Sequence, residues 1–237
     1  MRGHLRMTEE TPEGPGHRRR GLLYGRRKGP RLSAHQQGLR ETLLPELRLE
    51  LRAGADPRSY FSDVDSVWLE VGFGAGEHLL WQAEHHPRIG LIGAEPYEGG
   101  VAKLLSKLEH APRSNIRIHE GDARDIVDAL PDAGIGRVFI LFPDPWPKTR
   151  HHKRRFVQTA MLDALARVMM PGAELRFATD DKSYLPWALE RLCAHPAFRW
   201  TAGRASDWLA RPDDWPGTRY EAKAIKGPPM FLRFERR

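Results

Sequence analysis

From residue 67 onward the chain alternates short apolar runs with longer stretches of helical spacing. "VWLEV" (67–71) reads as a strand, followed by a Gly-rich loop and the helical run "EHLLWQAEHH". "IGLIGAE" (89–95) and "IRIHEGD" (116–122) read as the next two strands, backed by the helical runs "GVAKLLSKLEH" and "ARDIVDAL". "RVFILF" (137–142) predicts a fourth strand, leading through a proline-rich turn into a helix that reaches about Met170. "AELRFATD" (173–180) predicts a fifth, before the helical "YLPWALERLCAH". Near the C-terminus, "PPMFLRFER" predicts a last strand, pairing with one near "FRWTA". Strands alternating with helices predict an α/β fold, a mainly parallel sheet covered on both faces and closed by a C-terminal antiparallel hairpin.

The N-terminal part follows a different pattern. Residues 1–36 are rich in Gly, Pro and Arg without apolar periodicity, which predicts a basic, disordered tail. "LRETLLPELRLEL" (39–51) predicts a short helical segment interrupted or started at Pro45. Residues 37–237 then make a single domain, as a chain of 237 residues allows.

Charge sharpens this picture. There are 38 basic and 31 acidic residues, a formal net charge of +7, and the excess is clustered. Between His17 and Arg31 stand seven Lys or Arg and no acid. A second cluster follows the fourth strand in "LFPDPWPKTRHHKRR" (141–155), where Asp144 precedes Lys148, Arg150, Lys153, Arg154 and Arg155. Clustered basicity points to a polyanion such as nucleic acid; a solvated basic face is the plainer alternative for the tail. The single cysteine, Cys193, excludes an internal disulfide framework and any cysteine-cluster metal site. Neither a secretory signal nor an apolar stretch of the ~20 residues a membrane span needs is present, so a cytoplasmic location without membrane contact is expected.

In sheets of this kind, ligands gather at the carboxyl ends of the strands. Each of the first five predicted strands carries an acid there: Glu70, Glu95, Asp122, Asp144 and Asp180. A carboxylate beside a buried sheet loses hydration and needs a partner, so five of them predict a site. The loop "EVGFGAG" places Gly72, Gly74 and Gly76 between strand and helix, where the backbone turns tightly and a ligand approaches closely. The dinucleotide fingerprint wants its third glycine one place later, where Glu77 stands, and the flanking acids would repel a pyrophosphate. A nucleoside bearing a cation, S-adenosylmethionine, suits the spacing better. Glu95 then accepts from the ribose hydroxyls and Asp122 from the adenine amino group.

These segments resemble the bacterial tRNA (guanine-N7-)-methyltransferase family. The resemblance rests on "VWLEVGFGAGEHLL", "LIGAEP", "GDA", "LFPDPWPKTRHHKRRF", "ELRFATD" and "GTRYEAKA", in this order over about residues 65–237, with "YGRRKGPRLSAHQQ" similar to the N-terminal region of some members. It implies a Rossmann-like class I methyltransferase fold, S-adenosylmethionine as methyl donor, and the guanosine at position 46 of the tRNA variable loop as acceptor. It also implies cofactor contacts at Glu70, Glu95, Asp122 and Asp144. Substrate contacts fall at Lys148, Asp180, Thr218, Arg219, Tyr220 and Glu221, and RNA contacts at Arg150, His151, His152, Lys153, Arg154 and Arg155.

The chemistry of the residues agrees. Guanine N7 is an acceptor with a lone pair and no proton, so it attacks a methyl sulfonium without a general base. Positioning and a carboxylate facing the developing purine charge are what the reaction needs, and Asp144 is the catalytic candidate. A carboxylate can also accept from guanine's N1–H and amino group, a task that suits Asp180; which of the two acids does which is left open by sequence. Trp146 reads equally as pocket wall or core. His151 and His152 are adjacent and lack the i, i+4 spacing of a helical metal pair, so no metal is expected. Competing readings are a methyltransferase for another RNA base, and a non-catalytic RNA-binding protein that keeps the fold.

Overall fold

A computed structural model of the chain describes residues 25, 27–222 and 227–237. Most of the predicted tail therefore lies outside the described residues. Its expected boundary at residue 36 moves, because helix α1 (Ala34–Thr42) starts earlier. Ser33 caps it, with Gln36 completing a capping box, so two backbone N–H groups that a helix start leaves unpaired are satisfied. The helical segment expected over 39–51 is this helix followed by α2 (Leu44–Leu47), which Pro45 opens. Arg48 beyond it is already extended and bridges to Ile118.

The sheet contains β1 (Ser66–Val71), β2 (Ile89–Ala94), β3 (Ile116–His119), β4 (Ile135–Leu141), β5 (Met169–Thr179), β6 (Phe198–Trp200) and β7 (Met230–Arg236). Their order is β3-β2-β1-β4-β5-β7-β6. The first five strands are parallel, and β7 lies antiparallel between β5 and β6. This is the mainly parallel, Rossmann-like class I methyltransferase arrangement. The C-terminal antiparallel pair is joined by a long excursion rather than a tight turn, since β6 ends at Trp200 and β7 begins at Met230. The helix after β4 ends earlier than its apolar run suggests. Val168 closes α6 (Thr159–Val168), and Met169 and Met170 already belong to β5.

Helices α3 (Glu77–His85), α4 (Glu98–His110), α5 (Ala123–Ala129), α6 and α7 (Tyr184–Ala194) connect the strands. Strand alternation sorts the side chains onto two faces. Val67, Leu69, Ile92, Val138, Ile140 and Phe177 enter the core that Ile126, Leu162 and Leu192 complete from α5, α6 and α7. Trp68, Leu91, Phe139 and Leu141 enter the opposite core, with Leu39, Leu79 and Leu104 of α1, α3 and α4. Glu70, two residues after Trp68, therefore points to the α3–α4 side. No helix among the described residues is long and apolar enough to cross a membrane.

Candidate active site

The strand order reverses between β1 and β4, and a cavity of about 690 Å³ opens there at the carboxyl ends of the parallel strands. Its walls include Glu70, Gly72, Gly74, Glu95, Asp122, Asp144, Arg154 and Thr218. Eight predicted site residues thus share one cavity.

Why the loop after β1 holds its shape is clear from its backbone. Gly72, Gly74 and Gly76 all adopt positive φ, and an added Cβ at Gly72 or Gly74 would meet no protein atom within 4 Å. Such a loop leaves room for a ligand on its open side. Gly76 instead starts α3 and faces Leu104, outside the cavity lining. Two polar ties fix the loop from behind: Gly74 N donates to Glu95 Oε2 at 2.7 Å, and Lys107 Nζ donates to Ala75 O at 2.7 Å. At Gly100 a Cβ would stand 2.5 Å from Gly74 O, so only glycine lets α4 approach this closely.

Glu95 is buried, and its other oxygen accepts from Tyr97 N at 2.8 Å. Burial raises its pKa to about 6, against the pull of the two backbone donors; the nearby Asp144 and Glu70 carboxylates add to the rise. Glu70 is buried as well and accepts from His78 Nδ1 at 2.8 Å. Asp122 caps α5 through Arg124 N at 3.0 Å and pairs with the Arg124 guanidinium at 2.7 Å. The three acids are thus engaged by protein donors while still lining the cavity.

Across the cavity, Asp144 is exposed at the rim. Phe142 and Trp146 on either side of it have positive φ, two of the three described non-glycine residues that do. Strained backbone of this kind costs about 1–3 kcal/mol per residue and tends to sit where geometry serves a task. Trp146 lines the cavity, so it is a wall rather than a core residue; the Arg154 guanidinium lies 5.0 Å from its ring centre. The N-terminal segment also reaches this rim. Gly25 lies against Asp144 Oδ2, and Arg27 O accepts from Glu98 N at 3.0 Å.

The basic run does not act as one surface. Lys148, Arg150 and Lys153 are exposed on a 3-10 turn over Thr149–Arg154. His151 is held below the ordinary imidazole range, first by partial desolvation and then by Arg154, Arg150, Lys148 and Lys153. His152 turns inward, 5.1 Å from the Trp187 ring, with its Nε2 buried. Arg155 corrects the sequence expectation outright. It is fully buried, donates to Pro145 O at 2.7 Å, Ser183 O at 3.1 Å and Ser183 Oγ at 2.8 Å, and lies about 5 Å from the Tyr184 and Trp187 rings. An arginine satisfied by carbonyls and aromatic faces is a strut between the Asp144 loop and α7, out of reach of RNA.

Of the remaining predicted substrate residues, Asp180 is buried at the end of β5 and does not line the cavity, and neither does Lys148. Glu221 is held by Arg211 at 3.1 Å, and its backbone N–H bonds Thr218 Oγ1. The side chains of Arg219 and Tyr220 lie outside the described residues. The cavity also holds Phe73, His78, Tyr97, Lys103, Phe142 and Phe156, which sequence reading passed over. For His78 a signal existed: together with Gln82 it puts two polar residues at i, i+4 on the apolar side of α3.

Comparison with known proteins places these features in context. A family model described as "Putative methyltransferase" matches residues 65–229. A tRNA (guanine-N(7)-)-methyltransferase of Rhodospirillum rubrum is 51% identical over 224 residues, spanning 91% of this chain and 88% of the relative. One from Brucella anthropi is 47% identical, spanning 93% and 94%. Among solved structures, the 16S rRNA methyltransferase KamB superposes with a TM-score of 0.57 at 18% identity, over 80% of this chain and 97% of that one. TrmN from Thermus thermophilus gives 0.52 at 16% identity, over 85% and 48%. At such identities the structural likeness speaks for the fold alone.

Proposed function

The chain belongs to the tRNA (guanine-N(7)-)-methyltransferase family, and from that premise we propose that it methylates N7 of the guanosine at position 46 in the tRNA variable loop. S-adenosylmethionine, when bound, supplies a methyl group activated by a positively charged sulfur. The observation that carries this reading is the cavity at the strand-order reversal, with the glycine loop and Glu70, Glu95 and Asp122 on one side and Asp144 with exposed cations on the other.

The donor set fits the cofactor. Gly72 and Gly74 leave open space beside a buried carboxylate, and each oxygen of Glu95 retains a lone pair for a ribose hydroxyl after its one backbone bond. Five lining acids, Glu70, Glu77, Glu95, Asp122 and Asp144, give the field a sulfonium requires. On the acceptor side Lys148, Arg150 and Lys153 contact phosphates and set the RNA's orientation without reading bases. Asp144 at the rim faces the purine as it gains positive charge, and Trp146 offers a flat wall for a base withdrawn from its stack. No residue needs to take a proton from N7.

The test is incubation with S-adenosylmethionine and an unmodified tRNA transcript, followed by mapping of 7-methylguanosine. Modification confined to guanosine 46 is expected. Methylation of another base, or cofactor binding without transfer to any RNA, overturns the reading.

A further inference from the structure

One chain of hydrogen bonds runs from Glu70 in the cavity to a distant loop, and its links beyond Glu70 take no part in the chemistry above. Glu70 Oε2 accepts from His78 Nδ1 at 2.8 Å; His78 Nε2 lies 3.1 Å from Gln82 Nε2; and Gln82 Nε2 donates to Asp214 O at 3.0 Å. All three side chains are at least 98% buried. The main-chain carbonyl of Asp214 only accepts, so the Gln82 atom facing it is the amide nitrogen. That nitrogen's second hydrogen meets His78 Nε2, which is then the unprotonated nitrogen, and Nδ1 carries the proton given to Glu70. Every link has a fixed direction.

The arrangement has a cost. Gln82 Oε1 is buried with no hydrogen-bond partner, and so is the indole N–H of Trp215 packed beside His78. A leucine at position 82 would avoid the first loss. A glutamine that leaves its own oxygen unpaired is better explained by what its nitrogen holds. What it holds is the start of the segment Asp214–Glu221, which carries Thr218 on the cavity wall. The Asp214 carboxylate is gripped by Arg176 at 2.6 and 3.0 Å, and Trp215 is buried against Phe231. The segment is therefore tied at its root, with Thr218 on the cavity wall and Glu221 held by Arg211 beyond it.

We propose that His78 and Gln82 are positioning residues that couple occupancy of the cofactor side, felt at Glu70, to the placement of the Asp214–Glu221 segment that meets the RNA. This rests on the functional reading above. A group that draws on the Glu70 carboxylate shifts His78, and the rigid amide passes the shift to the Asp214 carbonyl.

The experiment measures the affinity of unmodified tRNA with and without saturating S-adenosylhomocysteine, for the wild type and for Gln82→Met, which keeps the volume and removes both donors. In the wild type the two affinities should differ at least about fivefold, a usual size for coupling between sites. In Gln82→Met the ratio should fall below about twofold, while S-adenosylhomocysteine alone binds within about threefold of wild type. An unchanged ratio in the variant, or no coupling in the wild type, overturns the inference and leaves the functional reading standing. Failure of the wild type to bind S-adenosylhomocysteine overturns both. A second measurement needs no variant: nitrogen-15 spectra of the His78 ring, assigned through its contacts with Trp215 and Phe139, should show the proton on Nδ1. A proton on Nε2 breaks the relay and sinks the proposal.

Discussion

The two walls of the cavity are built by opposite means. On the β1–β3 side each acid is already engaged: Glu95 by two backbone amides, Glu70 by His78, Asp122 by Arg124. On the β4 side, Asp144 is exposed and Lys148, Arg150 and Lys153 extend into water. The first wall recognises a small molecule of fixed shape, so its donors and acceptors are set in advance and little ordering entropy is left to lose on binding. The second meets a large polyanion whose counterions are released on contact, which solvated cations serve well. Yet the second wall needs rigidity somewhere, and Arg155 supplies it from beneath.

This contrast is most sharply tested at Arg155 itself. Arg155→Ala leaves the Pro145 and Ser183 carbonyls unpaired and a void between Tyr184 and Trp187. The expected loss is about 3 kcal/mol or more of folding stability, read by urea unfolding. Arg150→Ala, five residues earlier and exposed, should stay within about 0.5 kcal/mol of wild type. Equal effects from both would mean that the run is one surface after all.

The next largest effect is expected at Asp144. Asp144→Asn keeps shape and reach but removes the charge, and turnover in single-turnover methylation should fall on the order of a hundredfold. Because Asp144 is open to solvent here, its field gains full strength only once RNA covers the rim. The loss should therefore appear in the rate of the bound complex and leave tRNA affinity nearly untouched. A wild-type rate in the variant would reduce Asp144 to a partner for the neighbouring cations.

Neutralising Arg150 and Lys153 together should do the reverse. Affinity for tRNA should drop roughly tenfold at moderate salt, with the log–log salt slope reduced by about 0.7–0.9 for each phosphate no longer neutralised. Binding of S-adenosylhomocysteine should not change. An unaltered slope would show that these two cations are merely a solvated face.

How much of this was legible in the sequence differs between the walls in the same way. The strands, their mainly parallel pairing and the acids at their ends follow from local patterns, because apolar runs buried on both faces and a turn-forming glycine loop leave direct marks. Arg155 left none. Its charge type matches its neighbours, and its partners Ser183, Tyr184 and Trp187 come from α7 and the residue before it, about 30 positions later. The Asp214 loop was equally hidden, since its grip on Gln82 and Arg176 joins residues over a hundred and nearly forty positions apart. The helical end at Met170 was misplaced because an apolar "MM" satisfies a buried helix and a buried strand alike.

The smallest expected effect concerns pH and the pre-built wall. Glu95 has a pKa raised to about 6, with burial as the main cause. Its folded value lies above the ordinary 4.5, so the folded, ligand-free protein holds this proton more tightly than the unfolded chain. The group's contribution to stability is thus complete at low pH and is lost as the pH rises through about 6. Cofactor affinity should run the other way, because ribose hydroxyls donate to the carboxylate form. From pH 7.5 to pH 5.5, affinity for S-adenosylhomocysteine should fall about fourfold, the fraction of Glu95 then ionised being roughly a quarter. S-adenosylhomocysteine is the right probe, since its neutral sulfur keeps other acids out of the comparison. Glu95→Gln should bind more weakly at every pH and lose the slope between pH 5.5 and 7.5. A variant that keeps the wild-type slope would move the titrating group elsewhere in the cavity and leave Glu95 only as the anchor of the Gly74 loop.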